Sequence, residues 1–134
     1  MKKAFSLIEM IIGLSIICLI MTVGLLGYKE ILFSMSLDNE SILLKKYLEQ
    51  SREFAYSYKT KVYWTLEPES YELKTEAGEV LKKHTIPRRI SVNGKPFHFT
   101  VNLTPSEGQT IILQLDKKQK KIIIDPVTGR IRMI

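Results

Sequence analysis

A block of uncharged, apolar residues near the start of the chain constrains the fold more than any other feature. The block runs from Met10 to Tyr28, and between Lys3 and Lys29 the only charged side chain is Glu9. A helix rises about 1.5 Å per residue, so this block would span roughly 28 Å, close to the ~30 Å hydrocarbon core of a bilayer. The sequence therefore predicts a membrane-spanning helix over this block.

The residues before the block predict its orientation and set a condition on Glu9. Lys2 and Lys3 precede the helix, and positively charged flanks stay on the cytoplasmic side. A carboxylate at the membrane entrance is costly unless a cation accompanies it. We therefore expect Glu9 to have a cationic partner.

The residues Lys3-Ala4-Phe5-Ser6-Leu7-Ile8-Glu9 resemble the class III signal of type IV prepilins and type II secretion pseudopilins. In that pattern a small residue precedes Phe, Ser or Thr, Leu, an aliphatic residue and Glu, and an apolar helix follows at once. Ala4 stands where Gly is commoner, and it is small enough for the same position.

The resemblance implies a processing and assembly route. A membrane prepilin peptidase would cut between Ala4 and Phe5 on the cytoplasmic side and methylate the new amine of Phe5. The Glu9 carboxylate would pair with the terminal ammonium of a neighbouring subunit during assembly. The transmembrane and filament-core segment would include Met10, Leu14, Ile17, Met21 and Leu25.

Other kinds of N-terminal segment stay open as alternatives. A plain signal anchor with a chance Glu9 would fit the hydropathy alone. A cleaved secretory signal would end its apolar region at small residues, which the stretch from Thr22 to Tyr28 does not offer. A lipoprotein signal is a poor fit because Ile16 and Ile17 precede Cys18. Cys18, the single cysteine, is interpreted as an apolar packing residue.

The segment from Lys29 to Tyr58 extends the helical pattern. It contains neither Pro nor Gly, and its apolar residues recur at helical spacing around Leu44 and Leu48. We predict one helix from about Phe5 to Tyr58, apolar all round in its first half and amphipathic in its second. Weak points are expected at Gly24 and Gly27 or over Ser34–Asn39.

From Thr60 onward the apolar residues alternate with a period of two, which predicts strands. Asn93-Gly94 is the strongest turn signal and predicts a type I′ hairpin between its flanking strands. The predicted strands are centred on Val62–Leu66, Tyr71–Leu73, Ile86–Val92, Phe97–Leu103, Ile111–Leu115, Lys121–Ile124 and Arg130–Ile134. One long helix followed only by strands predicts an α+β fold in which the helix packs on a mostly antiparallel β head.

The second half adds to the resemblance. Phe97-His98-Phe99 and the terminal Thr128-Gly129-Arg130-Ile131 are similar to the heads of minor pseudopilins related to the H-type subunit of type II secretion. The short, lysine-rich chain, with no Cys after position 18, is most similar to the competence minor pseudopilin of Gram-positive bacteria (ComGD-type).

The resemblance thus divides the chain into a leader (1–4), a transmembrane helix (5–28), its amphipathic continuation (29–58) and a β-rich head (59–134). It implies a structural subunit of a type IV pilus-like filament, here the competence pseudopilus used in DNA uptake. The implied partners are other pilin or pseudopilin subunits, the prepilin peptidase, the membrane and, indirectly, an assembly platform protein and an ATPase. The implied location is the cell membrane, with the N-terminus cytoplasmic and the head outside, and then a cell-surface filament.

No pattern in the sequence indicates an enzyme, a cofactor or a metal site. The two histidines, His84 and His98, are 14 positions apart, and no cysteine or carboxylate cluster accompanies them. Asn93-Gly94-Lys95 is a turn rather than a phosphate-binding loop. We expect His98, in an alternating strand, to face solvent or to make a surface hydrogen bond rather than to bind a metal.

Two groups of basic residues could contact an anion such as DNA: Lys82, Lys83, Arg88 and Arg89, and Lys117, Lys118, Lys120 and Lys121. The plainer interpretation is that they are solvated turn and edge residues that block edge-to-edge strand pairing. The alternative function is a single-pass, membrane-anchored module that never polymerises and binds DNA or a cell-wall polymer through its basic head.

Overall fold

A computed structural model of the chain describes residues 6–134, apart from the side chain of Leu26. The chain divides into two compact units at Met35/Ser36. Ala4 and Phe5, the predicted processing residues, lie outside the described residues.

The helix α1 spans Leu7–Ser57, 51 residues, so the prediction of one long helix is confirmed for the described residues. It continues through Gly24, Gly27 and Ser34–Asn39, where weak points were expected. It ends where Tyr58 N–H bonds to the Phe54 carbonyl and Lys59 takes a left-handed φ of 49°.

In the unit that ends at Met35, α1 exposes apolar side chains on all its faces. The exposed apolar residues include Leu7, Ile8, Met10, Ile11, Ile12, Leu14, Ile16, Ile17, Leu19, Ile20, Met21, Val23, Leu25, Ile31, Leu32 and Met35. By length and composition this helix could cross a membrane. A helix that is hydrophobic all round needs apolar surroundings.

In the unit that begins at Ser36, α1 buries one stripe of side chains. Leu37, Leu44, Leu48 and Ala55 are buried, at the four- and seven-residue spacing of one helical face. Ser41 and Ser51 share this stripe, and each donates its hydroxyl to a carbonyl three residues earlier. The part of α1 that begins at Ser36 is therefore amphipathic, and it packs on the strands of the head.

Eight strands follow the helix and form two four-stranded sheets. They are β1 (Val62–Glu67), β2 (Ser70–Thr75), β3 (Val80–Thr85), β4 (Ser91–Asn93), β5 (Phe97–Phe99), β6 (Gln109–Leu115), β7 (Lys118–Ile124) and β8 (Ile131–Met133). The first sheet has the order β3-β2-β1-β5 and the second the order β4-β6-β7-β8. All strand pairs are antiparallel, which confirms the predicted fold class.

Alternate residues of both sheets bury a common core together with α1. In the first sheet, Trp64 lies opposite Leu73 on one side and Phe97 on the other, and all three are buried. In the second sheet, Ile111 lies opposite Ile122, and both are buried completely. The period-two pattern predicted these inward positions because successive strand side chains point to opposite faces.

The structure corrects the prediction around Asn93-Gly94. These residues do not form a hairpin, because β4 pairs with β6 and β5 pairs with β1. Neither has a positive φ; the chain here passes from one sheet to the other. A Cβ on Gly94 would lie 3.2 Å from Ile111 Cγ1 and 3.4 Å from Trp64 Cη2, so the glycine permits close packing rather than a turn.

Two other strand predictions were wrong in part. A strand was predicted over Ile86–Val92, but the third strand is β3, which ends before Ile86 and whose residues do not alternate cleanly. Ile86 and Ile90 are instead buried in the loop that follows β3. The strand predicted over Phe97–Leu103 ends at Phe99, since Thr100 N–H bonds to the Thr104 carbonyl and Leu103 has a φ of 66°.

Candidate functional site

The first described turn of α1 places Glu9, the predicted assembly residue, at the start of the helix. Its carboxylate accepts a hydrogen bond from the Ser6 backbone N–H at 3.1 Å, and Ser6 Oγ accepts one from Ile8 N–H at 3.2 Å. A hydroxyl residue followed three positions later by Glu is the pattern of a capping box. Glu9 is exposed to solvent, so its carboxylate is accessible to a cation from outside the chain.

The predicted transmembrane residues lie along the exposed apolar part of α1. Met10, Leu14, Ile17, Met21 and Leu25 are all more than half exposed. Ser15 and Thr22 each donate their hydroxyl to the carbonyl four residues earlier, at 2.8 Å. These polar groups are thus satisfied inside the helix, as an apolar environment requires.

The first basic group does not form one surface. Lys82 and Lys83 are consecutive on β3 and point to opposite faces of the sheet. Lys82 Nζ donates to Gln50 Oε1 of the helix at 2.7 Å and lies 5.3 Å from the centre of the Tyr47 ring. Lys83 Nζ lies 2.6 Å from the Glu72 carboxylate. Arg88 and Arg89 are exposed in the turn after β3.

The second basic group is divided in the same way. Lys120 forms a salt bridge of 3.0 Å with Asp38 of α1. Lys121 points to the opposite face, and Lys117 and Lys118 are exposed at the turn between β6 and β7. Lys82, Lys83 and Lys120 are therefore engaged in contacts within the chain.

A polar cluster that sequence reasoning missed joins α1 to the first sheet. The carboxylate of Glu40, which is 5% exposed, accepts a hydrogen bond from the Tyr71 hydroxyl at 3.4 Å. One of its oxygens lies 3.0 Å from His84 Nε2. Burial, and then the negative charge of Glu40, raise the pKa of Tyr71. The sequence could have indicated that Glu40 is buried, because it lies three residues after Leu37 and four before Leu44, on the same face of the helix.

A second buried carboxylate, Glu72, lies on the opposite face of the first sheet. It pairs with Lys74 at 2.7 Å and with Lys83 at 2.6 Å. Hydrogen bonds from these two ammonium groups lower the pKa of Glu72. Because Lys74 is two positions along the same strand and Lys83 lies directly opposite Glu72, the register alone brings the three together.

The histidines do not assemble a metal site. Among residues 6–134, no group of three His, Cys, Asp or Glu side chains could hold a metal ion. His98 is partly exposed and alternates with the buried Phe97 and Phe99 on β5, and its ring lies 4.8 Å from the Tyr63 ring, measured between centroids. The chemistry at both histidines is thus that of packing and hydrogen bonding.

Comparison with known proteins gives a match at the level of the fold. No protein-family model matches the sequence, and no curated protein matches it. Two crystal structures of the type IV minor pilin FimU from Pseudomonas aeruginosa PAO1 are similar, with TM-scores of 0.63 and 0.64 and sequence identities of 17% and 18%. Each match covers 73% of this chain, and 92% and 87% of the two FimU chains. The chain therefore has a pilin fold, in which a long apolar helix continues into an antiparallel β head.

Proposed function

We propose that the chain is a minor pilin or pseudopilin, a structural subunit of a type IV pilus-like filament, and not an enzyme. The observation that carries the proposal is the exposed apolar half of α1, which continues as one helix into a head with a pilin fold. Such a helix needs an apolar environment, and lipid and neighbouring helices can supply it in turn.

The length of the apolar exposure favours a polymerising subunit over a simple anchor. A bilayer that holds Met10–Tyr28 would place Lys29 and Glu30 at its surface, since the block already matches the ~30 Å core. Ile31, Leu32 and Met35 would then lie outside the lipid. Each of these apolar side chains is about half exposed, so the chain itself does not cover them. Neighbouring helices of a filament would cover these residues, whereas a solitary anchor would leave them in water.

The same proposal gives Glu9 its role. The prepilin peptidase cuts between Ala4 and Phe5 and methylates the amine of Phe5, and the helix stays in the membrane. During assembly the cationic amine of a neighbouring subunit approaches Glu9, so that neither charge is left unpaired among apolar helices. The exposure of Glu9 in the first turn supports this step.

The finer proposal is the competence pseudopilus used in DNA uptake. Its support is a short head that contains no cysteine and carries many lysines. The subunit would enter the cell membrane with its N-terminus in the cytoplasm and its head outside, and a platform protein and an ATPase would move it into the filament. DNA would then contact the head only where its cations remain available, chiefly Lys117, Lys118 and Lys121.

The alternative is a non-polymerising, membrane-anchored module with a basic β head that binds DNA or a cell-wall polymer. It requires neither Glu9 nor processing at Ala4. The exposed lysines at the turn between β6 and β7 are the observation that favours it.

One experiment separates the two functions. The native chain is purified from membranes and from sheared surface filaments, and the mass of its N-terminal peptide is measured. A chain that begins at methylated Phe5 and is present in the sheared fraction is expected for the pilin. An intact Met1 together with absence from the sheared fraction would overturn the proposal in favour of the anchored module.

A further inference from the structure

The outer face of β7 and β8 combines residues from separate parts of the sequence. Antiparallel register places Ile123 opposite Arg132. Backbone hydrogen bonds extend the same register to Lys121 opposite Ile134 and to Asp125 opposite Arg130. Directly opposite residues share a face of the sheet, and the alternate residues Ile122, Ile124 and Ile131 are buried in the core. We call the outward-pointing set Lys121, Ile123, Arg130, Arg132 and Ile134 the β7–β8 face.

The cations of this face have no partner of opposite charge in salt-bridge contact. No salt bridge among the described residues involves Lys121, Arg130 or Arg132. The neighbouring carboxylate, Asp125, accepts hydrogen bonds from Val127 N–H and Thr128 N–H. Asp125 also attracts the Arg132 guanidinium. Lys121 and Arg130 are therefore the cations of the face that are most available to an external acid.

The outer face of the first sheet provides the contrast. There Lys74 and Lys83 both pair with Glu72, and Lys61 pairs with Glu76. That face satisfies its charges internally. The β7–β8 face carries three cations, and the one carboxylate beside them is Asp125, which lies opposite Arg130.

Apolar side chains lie between the cations. Ile123 is directly opposite Arg132, and Ile112 of β6 is directly opposite Lys121. Ile134 is 71% exposed and lies opposite Lys121 on the other side. Arginine is enriched in protein–protein interfaces, and on this face the strand register presents arginine and aliphatic side chains to one partner.

From this arrangement we infer that the β7–β8 face is a docking surface for an acidic segment of a different protein. Carboxylates of that segment would pair with Lys121, Arg130 and Arg132, and its apolar side chains would cover Ile123 and Ile134. A second copy of this chain is a poor partner, because its net charge of +6 is repelled by the same face. Single-stranded nucleic acid is a poor partner because no residue of the face is aromatic, so bases would have nothing to stack on. Duplex DNA, which binds through its phosphates, is an outcome of the test.

The inference rests on the proposed function in one respect: the partner would be another subunit of the same filament. The contact itself does not require a filament and can form between two membrane-held proteins. A test in cells that detects the contact and the filament separately therefore distinguishes failure of the inference from failure of the proposed function.

The test is site-specific photo-crosslinking in cells that express the full chain. A photoreactive amino acid replaces Thr110, which lies opposite Ile123 at the margin of the face, and in a control it replaces Thr85 on the outer face of β3. Crosslinked products are identified by mass spectrometry of the joined peptides. From position 110 we expect one protein partner, joined through a segment that contains at least two Asp or Glu residues.

Charge reversal tests the electrostatic part. The variant with Lys121→Glu, Arg130→Glu and Arg132→Glu should reduce the crosslink at least about tenfold, which corresponds to about 1.4 kcal/mol. A matched variant with Lys46→Glu, Lys59→Glu and Arg88→Glu, all exposed positions elsewhere, should retain it. Equal amounts of the two variants in the membrane, with equal thermal melting in detergent, show that both fold.

Several results would overturn the inference. These are a crosslink from Thr110 no stronger than from Thr85, a partner segment without acidic residues, a crosslink to another copy of this chain, or a crosslink that survives charge reversal. A gel shift of duplex DNA by the detergent-solubilised chain, lost on charge reversal, would assign the face to nucleic acid instead. A supported contact in a chain that never reaches sheared filaments would leave the interface standing and remove the filament function.

Discussion

The hydroxyl group of Tyr71, on the second strand, donates a hydrogen bond of 3.4 Å to the buried carboxylate of Glu40, on the helix. The same carboxylate lies 3.0 Å from His84 Nε2 on the third strand. The Tyr47 ring packs edge-on against the Tyr71 ring, with centroids 5.3 Å apart. One helical acid thus connects α1 to two strands of the first sheet, where sequence reasoning expected only apolar packing.

Replacing Glu40 by Ala should destabilise the head. The buried hydroxyl of Tyr71 and the imidazole of His84 would lose their shared acceptor, which costs about 1–3 kcal/mol of the free energy of unfolding. Denaturant unfolding of the detergent-solubilised chain, followed by the fluorescence of the single tryptophan, Trp64, measures the effect. The control is Glu49→Ala, an exposed pair with Lys45 that should cost less than about 1 kcal/mol. Equal effects of the two substitutions would contradict the role of Glu40.

The raised pKa of Tyr71 predicts how stability changes in alkali. The folded chain keeps Tyr71 protonated where the unfolded chain ionises it, so the contribution is complete below about pH 10 and is lost as the pH rises beyond that value. Tyr71→Phe should therefore flatten the fall in unfolding free energy above pH 10. Tyr56→Phe, at an exposed tyrosine, is the control and should leave the fall unchanged.

The lowered pKa of Glu72 predicts how the stability of the head changes in acid. Its ionised form is stabilised by Lys74 and Lys83, so its contribution is present above the ordinary pKa of 4.5 and is lost as the pH falls below that value. Glu72→Gln should make the unfolding free energy less dependent on pH below 4.5. If acid unfolding of this variant follows the curve of the native chain, the two ammonium groups do not act on Glu72 as the distances indicate.

Position 129 requires glycine for two reasons: the backbone has a positive φ, and there is no room for a Cβ atom. Its φ is +64°, and a Cβ there would lie 2.4 Å from the Leu103 carbonyl oxygen. Gly129→Ala should cost more than the ~1–2 kcal/mol of a left-handed alanine alone, because the backbone of Leu103 must also shift. Gly78→Ala is the matched control, since Gly78 has a φ of +86° with nothing within 4 Å. A smaller cost at Gly129 than at Gly78 would contradict the close approach.

Substitution of Glu9 should separate membrane insertion from assembly. Glu9→Val removes the charge and the cap, and should leave insertion intact while incorporation into sheared filaments falls. Glu9→Gln keeps an oxygen that can accept the Ser6 N–H but removes the charge. If the ion pair to a neighbour is what matters, both variants lose incorporation; if only the helix cap matters, Gln restores it. Normal levels of Glu9→Val in sheared filaments would defeat the assembly role.

Processing is predicted to depend on the size of residue 4. Ala4→Leu should leave the uncut chain, because a bulky residue would not fit where the resemblance implies a small one. The mass of the N-terminal peptide, with native and Ala4→Gly chains as controls, gives the answer. Cleavage of the Leu variant at the native rate would remove the prepilin-type interpretation of this segment.

The amino-acid sequence by itself determined the parts of this protein that depend on neighbouring residues. The apolar block, the helical spacing through Leu44 and Leu48, and the alternation in β1, β2 and β6 each follow from a local period. These patterns were sufficient to predict a long helix followed by an antiparallel head, because burial of one face imposes the period on the chain.

Only the tertiary structure decided which strands pair and which polar groups meet. Asn93-Gly94 has the composition of a hairpin, yet Gly94 is needed for close packing against Trp64 and Ile111, and the chain changes sheet there. Lys82 and Lys83 are neighbours in sequence but face opposite sides, whereas Lys121 and Arg132 come together on one face through strand register. The physical reason is that long-range pairing depends on the total fit of all the buried faces, which no local pattern contains.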